Sequence, residues 1–157
     1  MEIRQVPFDH PDVGPLVEQV QSVYTERYGG RDDDPTDPAM FAAPNGAFFV
    51  GYLDGVPVAT GAWRREGIER LGSSQTAEIK RMYVVPEAAR RGLARRMLAH
   101  LEQTARDAGF EVMVLSTGAR QPEAIALYES SGYERVEGFG FYASSPTNRC
   151  YAKRLDP

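Results

Sequence analysis

The sequence is poor in the residues that carry redox, disulfide and membrane chemistry. Cysteine occurs once in 157 residues, at Cys150, which excludes an internal disulfide framework and fits a reducing compartment. No apolar run approaches the about 20 residues that a membrane-spanning helix needs. The opening Met1-Glu2-Ile3-Arg4 lacks the basic-then-apolar pattern of a secretion signal. Positive charge is in deficit: 18 Lys and Arg against 22 Asp and Glu leave a net charge of −4, the wrong balance for a general nucleic-acid binder. Neither His10 nor His100 sits in a recognisable motif, and no metal site is expected. A Walker-type phosphate loop is absent. Gly138-Phe139-Gly140 begins like a dinucleotide fingerprint, but Ala143 stands where the third glycine belongs and no helix is expected after it. What remains is an ordinary globular composition, 42% hydrophobic and 25% charged, at the length of one domain. Residues 1–157 are therefore expected to form a single cytoplasmic domain, a monomer or homodimer.

Period-2 and period-3.6 stretches alternate along the chain. Residues 2–6 read as a strand. Val13, Leu16, Val17, Val20, Val23, Tyr24 and Tyr28 recur at helical spacing until Gly29-Gly30. An acidic loop over residues 31–37 follows, and Asp37-Pro38 predicts a brief second helix through Phe41. Residues 47–53 and 56–65 form a hairpin about Asp54-Gly55, and residues 76–85 form a third strand that Pro86 stops. Leu93, Met97, Leu101 and Ala105 make the stripe of a helix over 92–108. A buried strand at 112–116, a helix from Pro122 to Ser131 and two strands at 133–137 and 149–155 complete the order. Hairpin-linked and crossover-linked strands together imply an α+β fold of three α/β/α layers, with one mixed, mostly antiparallel sheet covered on both faces.

One segment has the wrong charge for its place. Arg90, Arg91, Arg95 and Arg96 crowd the start of the 92–108 helix, where the positive end of the helix dipole favours Asp and Glu. A bound anion reverses both that penalty and the mutual repulsion, because free N–H groups and guanidinium groups converge on it. Gly92 lets the main chain approach closely and Ala94 keeps the next position small. The plain alternative is an arginine-rich turn splayed into water.

The strand–turn–helix Glu78-Ile-Lys-Arg-Met-Tyr-Val-Val-Pro-Glu-Ala-Ala-Arg-Arg-Gly-Leu-Ala resembles the cofactor-binding motif of the GNAT N-acetyltransferase superfamily. A second segment, Gln121-Pro-Glu-Ala-Ile-Ala-Leu-Tyr-Glu-Ser-Ser-Gly-Tyr133, is similar to that superfamily's other motif, Asn-x-x-Ala-x-x-x-Tyr followed by Gly-Phe or Gly-Tyr. The resemblance covers most of the chain and implies acetyl-CoA as donor and acetyl transfer to a primary amine. It implies that the main chain of Met82, Tyr83 and Val84 pairs with the pantetheine arm. It further implies that the pyrophosphate lies on Arg90, Arg91, Gly92, Leu93, Ala94 and Arg95. The family's leading Gln or Arg is Ala89 here, and its Asn is Gln121, so two expected contacts change.

The chemistry sets further expectations. An alkyl amine, with a pKa of about 10.4, is almost wholly protonated at neutral pH and must lose its proton before it attacks. Glu78, at the offset of the base glutamate in one branch of the family, is the candidate base, directly or through water. A surface position, or an ion pair with Lys80 or an arginine, is its plain alternative. The resemblance puts the Met82 N–H against the thioester oxygen. The Tyr128 hydroxyl is the candidate acid, expected to protonate or hydrogen-bond the leaving thiolate; Tyr128 as an ordinary core aromatic is the competing reading. The acceptor walls are expected from residues 24–41, the loop near Gly67 and the tail Phe139-Gly140-Phe141-Tyr142. Asp32-Asp33-Asp34 is a candidate cation attractor or simply a solvated run. A small-molecule amine is the expected acceptor, with no nucleic acid or membrane partner. The rival reading is a non-catalytic acyl-CoA-binding module.

Overall fold

The computed structural model describes residues 1–32 and 36–156. Asp33 and Asp34, two thirds of the acidic run, lie outside the described residues. Strands β1 (Glu2–Gln5), β2 (Gly46–Leu53), β3 (Val56–Arg65), β4 (Thr76–Val84), β5 (Val112–Gly118), β6 (Glu134–Val136) and β7 (Asn148–Arg154) form one sheet in the order β1-β2-β3-β4-β5-β7-β6. Helices α1 (Val13–Tyr28), α2 (Leu93–Asp107) and α3 (Pro122–Ser130) cover it. Only β4 and β5 run parallel; the other five neighbouring pairs are antiparallel. The mixed, mostly antiparallel sheet expected from the sequence is therefore present. The second helix is not: Pro38–Phe41 is a 3-10 turn, with Asp37 accepting the Ala39 N–H at 2.9 Å. A short loop segment begun by Pro after a capping Asp satisfies its first free donor without continuing into an α-helix.

Side-chain alternation distributes the helices. Phe48 of β2 points to the face where Phe8 and Phe41 pack around it, with centroids 5.3 and 5.5 Å away. The next residue, Phe49, points the other way and meets His100 of α2 edge-on at 4.6 Å. Trp63 lies on that second face too, its indole N–H donating to Thr104 of α2 at 3.0 Å. Leu93, Met97, Leu98, Leu101 and Ala105 are all buried, so the predicted stripe of α2 is its core face. Val13, Leu16 and Val20 do the same for α1.

Two irregularities position the site. Ala62 pairs with Lys80 and Thr60 with Tyr83, so two steps on β3 match three on β4. This is a β-bulge, centred on Arg81 at φ +56°. The Thr60 hydroxyl pins it by donating to the Arg81 carbonyl at 2.6 Å. On the opposite edge, β4 pairs with β5 only from Thr76 to Glu78. From Ile79 onward the two parallel strands part.

Candidate active site

A cavity of about 440 Å³ occupies the opening between β4 and β5. Glu78, Ile79, Lys80, Arg81 and Met82 line it from β4, and Leu115, Ser116, Thr117 and Gly118 from β5. Tyr24 and Tyr28 enter from α1, Gln121 from the residue before α3, Ala124 and Tyr128 from α3, and Tyr142 from the segment before β7. Four of the residues singled out from the sequence, Glu78, Met82, Gln121 and Tyr128, thus meet at one place. Of the segments expected as acceptor walls, Tyr24, Tyr28, residues 29–32 and Tyr142 line the cavity, whereas residues 36–41 and the loop near Gly67 do not. The aromatic tail divides: Phe139 is buried in a small core with Val112 and Val114, Phe141 is 56% exposed, and Tyr142 alone faces the cavity.

Glu78 is the last β4 residue paired to β5 and is 6% exposed. Its carboxylate accepts from Arg64 Nε at 3.1 Å and lies 3.0 Å from Arg64 Nη2. Lys80 Nζ stands 3.9 Å away, so the ion-pair alternative also holds. Arg64 reaches Glu66 as well, at 2.6 Å. A buried carboxylate with such partners stays fixed in position. Tyr128 is 5% exposed and meets Tyr133 edge-on at 5.6 Å. Among the described residues its hydroxyl has no hydrogen-bond partner. Burial, with a smaller contribution from Tyr24, pushes its ionisation far above that of an ordinary phenol. Burial and then the Asp32 carboxylate raise Tyr24 to about 12. Both phenols are therefore un-ionised donors at neutral pH. Arg81, displaced by the bulge, donates to Asp32 at 3.2 Å and Thr36 at 2.8 Å, and Tyr142 donates to the same Asp32 at 2.9 Å.

The arginine-rich turn lies beyond the cavity. Arg90 at φ +64° and Gly92 at φ +74° are both left-handed, a backbone that turns successive N–H groups toward one point. Gly92 carries no side chain there, and a Cβ would face open space. The first intrahelical bond of α2 is Arg96 N–H to Gly92 O at 3.1 Å, which leaves the N–H groups of residues 93–95 available at the helix end. Leu93 buries its side chain in the core and has only its N–H to offer. The arginines separate into two pairs. Arg95 donates to Ser131 at 3.0 Å and Ser130 at 2.9 Å, tying α2 to the end of α3, and Arg96 donates to the Met1 carbonyl at 3.0 Å. Among the described residues Arg90 and Arg91, both exposed, have no protein partner. Tyr83 and Val84 lie between turn and cavity. Tyr83 OH donates to Gln19 at 3.1 Å, and Val84 pairs with Ala59.

The sequence matches the Acetyltransferase (GNAT) family over residues 17–133. The chain belongs to that family. It is 31% identical over 140 residues to an IAA acetyltransferase of Azospirillum brasilense, covering 89% of this chain and 88% of the relative. An acetyltransferase of the GNAT family from Staphylococcus aureus Mu50 has the same fold, at 16% identity and a TM-score of 0.77, over 99% of this chain and all of that one, 100%. The PaiA N-acetyltransferase of Thermoplasma acidophilum, solved with coenzyme A, overlays at a TM-score of 0.68 and 12% identity, over 98% and 99% of the two chains. This GNAT protein is accordingly an acyltransferase whose donor is acetyl-CoA. Its residues fit that donor: helix-end amides and two arginines without a protein partner among the described residues for phosphate, a β4 edge that no longer pairs with β5 past Glu78 for an extended amide-bearing arm, and a cavity at the far end.

Sequence reasoning missed Arg64 and Arg81 as members of the site. Arg64 meets Glu78 only through the β3–β4 register, which no local pattern reports. Arg81 was legible as one more basic residue of β4, but its role depends on the bulge.

Proposed function

We propose that the protein transfers the acetyl group of acetyl-CoA to the primary amine of a small molecule by direct attack, in a reducing cytoplasm. The observation that carries this reading is the meeting of Glu78, Met82 and Tyr128 on one cavity where β4 leaves β5. Glu78, held by Arg64, takes the ammonium proton of the acceptor, directly or through one water. The Met82 N–H, just past the bulge, meets the charge that builds on the carbonyl oxygen. The amides of residues 93–95, with Arg90 and Arg91, hold phosphate. Gln121, the residue before α3 whose side chain makes no capping bond, contacts the donor from the other side.

Tyr128 supports the leaving sulfur by donating a hydrogen bond rather than by giving up its proton. A free thiol has a pKa of about 8.5 and a phenol about 10, so full transfer is uphill by roughly 2 kcal/mol before burial is added. Burial raises the phenol further. Cys150 takes no part. It is buried, with Ser116 Oγ and Asn148 Nδ2 each 3.3 Å from its sulfur, and belongs to the small core.

A thiol-release assay with acetyl-CoA and a panel of primary amines tests the reading. Turnover is expected with wild type, and Tyr128→Phe should lower kcat by roughly tenfold, the loss of one transition-state hydrogen bond of about 1.4 kcal/mol. Tight CoA binding with no turnover of any amine, in wild type and variant alike, would instead establish a non-catalytic acyl-CoA-binding module.

A further inference from the structure

The end of α1 and the turn that opens α3 are locked together beside the cavity, which Tyr28 and Gln121 line. The Tyr28 hydroxyl accepts the Arg120 N–H at 3.0 Å. Arg120 Nη1 donates to the Arg27 carbonyl at 2.9 Å, and Arg27 Nη1 returns a bond to the Arg120 carbonyl at 3.3 Å. Arg27 also pairs with Glu123 in the first turn of α3. The Arg120 guanidinium sits 5.7 Å from the Tyr28 ring centre. All these contacts join segments more than 90 positions apart in sequence. They bridge the region where β4 and β5 no longer pair.

The fit is close on the β5 side. A Cβ on Gly118 would lie 1.7 Å from the Tyr28 hydroxyl oxygen, so the phenol fills the space over the last residue of β5. The same Tyr28 lines the cavity together with Tyr24, Gly118 and Tyr142. Anchoring α1 does not require this arrangement, because Val13, Leu16 and Val20 already bury that helix. The latch fixes an aromatic end wall at the side of the cavity away from the arginine turn.

We propose that Tyr28 is the specificity-determining residue for the acceptor, an end wall that admits free small amines and excludes lysine side chains carried on a protein. This rests on the reading of the cavity as the amine site. A cavity of about 440 Å³ is near the lower end of small-ligand pockets, and Tyr28, held against Gly118 and Arg120, is a fixed part of its wall. Arg120 and Gly118 are positioning residues that act through Tyr28.

The test measures kcat/KM with acetyl-CoA for ethylamine, phenethylamine, tryptamine and a lysine-containing peptide. In parallel, calorimetry measures binding of the same amines to the CoA-loaded protein. Wild type should favour the smaller amines over tryptamine and the peptide. Tyr28→Ala should raise the tryptamine-to-ethylamine ratio at least tenfold, and Gly118→Ala, which evicts the phenol, should move it the same way. Tyr28→Phe keeps the ring and loses only the bond from Arg120. It should shift the ratio about threefold, and it serves as the test should the alanine variants fail to fold. CoA affinity should stay within about twofold in all three. Unchanged ratios in the folded variants, or a peptide turned over by wild type as well as ethylamine, would overturn the end wall while leaving amine acetylation standing. Absence of turnover with every amine would remove the proposed function; the binding ratios would then decide the wall, which falls if they do not move or no amine binds.

Discussion

Glu78→Gln removes one charge and almost no volume, so it separates proton transfer from packing. The amide oxygen can still accept from Arg64, whose Nε stands 3.1 Å from the carboxylate, and Arg64 keeps Glu66 at 2.6 Å. The amide nitrogen, however, faces Lys80, which stood 3.9 Å from the second carboxylate oxygen. Loss of a charge-assisted pair at a site only 6% exposed should lower stability by about 1–3 kcal/mol, measurable as a shift in the urea midpoint. That cost does not enter the rate while the protein stays folded. A positioned general base contributes about 10²–10⁴-fold, so kcat/KM at neutral pH should fall by that factor, or about 3–5 kcal/mol in the barrier.

The shape of the pH profile is more diagnostic than the drop. With an amine pKa of about 10.4, roughly one molecule in a thousand is neutral near pH 7.4. Without the carboxylate only that fraction reacts, and the rate of the variant should climb about tenfold per pH unit between pH 7 and 9. Wild type, which deprotonates the bound ammonium itself, should rise less steeply and level off earlier. The two curves therefore converge toward high pH. Profiles that stay parallel across the range would assign Glu78 to the Arg64–Lys80 ion-pair network alone and refute its role as base.

Two further outcomes follow from the same geometry. Arg90→Ala with Arg91→Ala should weaken acetyl-CoA binding by about 10–100-fold, from lost charge-assisted contacts of about 1.5–3 kcal/mol, and should flatten the salt dependence of Kd in calorimetry; an unchanged Kd would return that turn to plain solvation. Tyr133→Phe deletes the 2.7 Å bond from its hydroxyl to buried Glu102, which retains Lys153 at 3.1 and 3.2 Å; urea unfolding should show a loss of about 1.5–3 kcal/mol, and a loss below about 0.5 kcal/mol would mean that Lys153 alone satisfies Glu102.

The parts of this site that the sequence made legible are those written in local pattern. The helix α2 declared itself by its apolar stripe, and the candidate anion site by arginines at a helix start where the dipole disfavours them. Within that cluster the sequence could not separate Arg90 and Arg91 from Arg95 and Arg96. The distinction depends on α2 lying beside α3 and the N-terminal strand, which brings Ser130, Ser131 and the Met1 carbonyl within reach. Tyr24 and Tyr28 stand four apart on one face of α1 and read as the last members of its apolar stripe. Their exposure to a cavity follows only from the parting of β4 and β5. Asp32 meets Tyr142 across 110 positions of sequence, a distance over which no periodicity operates. Asp37-Pro38 gave the right start to the wrong helix type, since a cap specifies where a turn begins and not how many turns follow.

The β4 bulge ties these pieces into one device. In a regular strand residues 78, 80 and 82 would share a face. With the extra residue at Arg81 it is Glu78, Lys80 and Tyr83 that oppose Arg64, Ala62 and Thr60. Tyr83 is thereby turned toward α1, where Gln19 accepts from it at 3.1 Å, and the Arg81 side chain is sent to Asp32 in the loop that follows the same helix. A bulge also bends its strand and strengthens the local twist, and β4 departs from β5 one residue past Glu78. The candidate base thus sits at the last point where the sheet is closed, and the β4 edge that no longer pairs with β5 begins immediately after it. Arg81 adopts a left-handed backbone that costs a non-glycine residue of order 1 kcal/mol or more. That conformation persists because the Thr60 hydroxyl, Asp32 and Thr36 all hold the residue in place. A single inserted residue, over-determined by three partners, bends β4 beside the opening of the sheet, ties it to the proposed acceptor wall and leaves the carboxylate at the threshold between them.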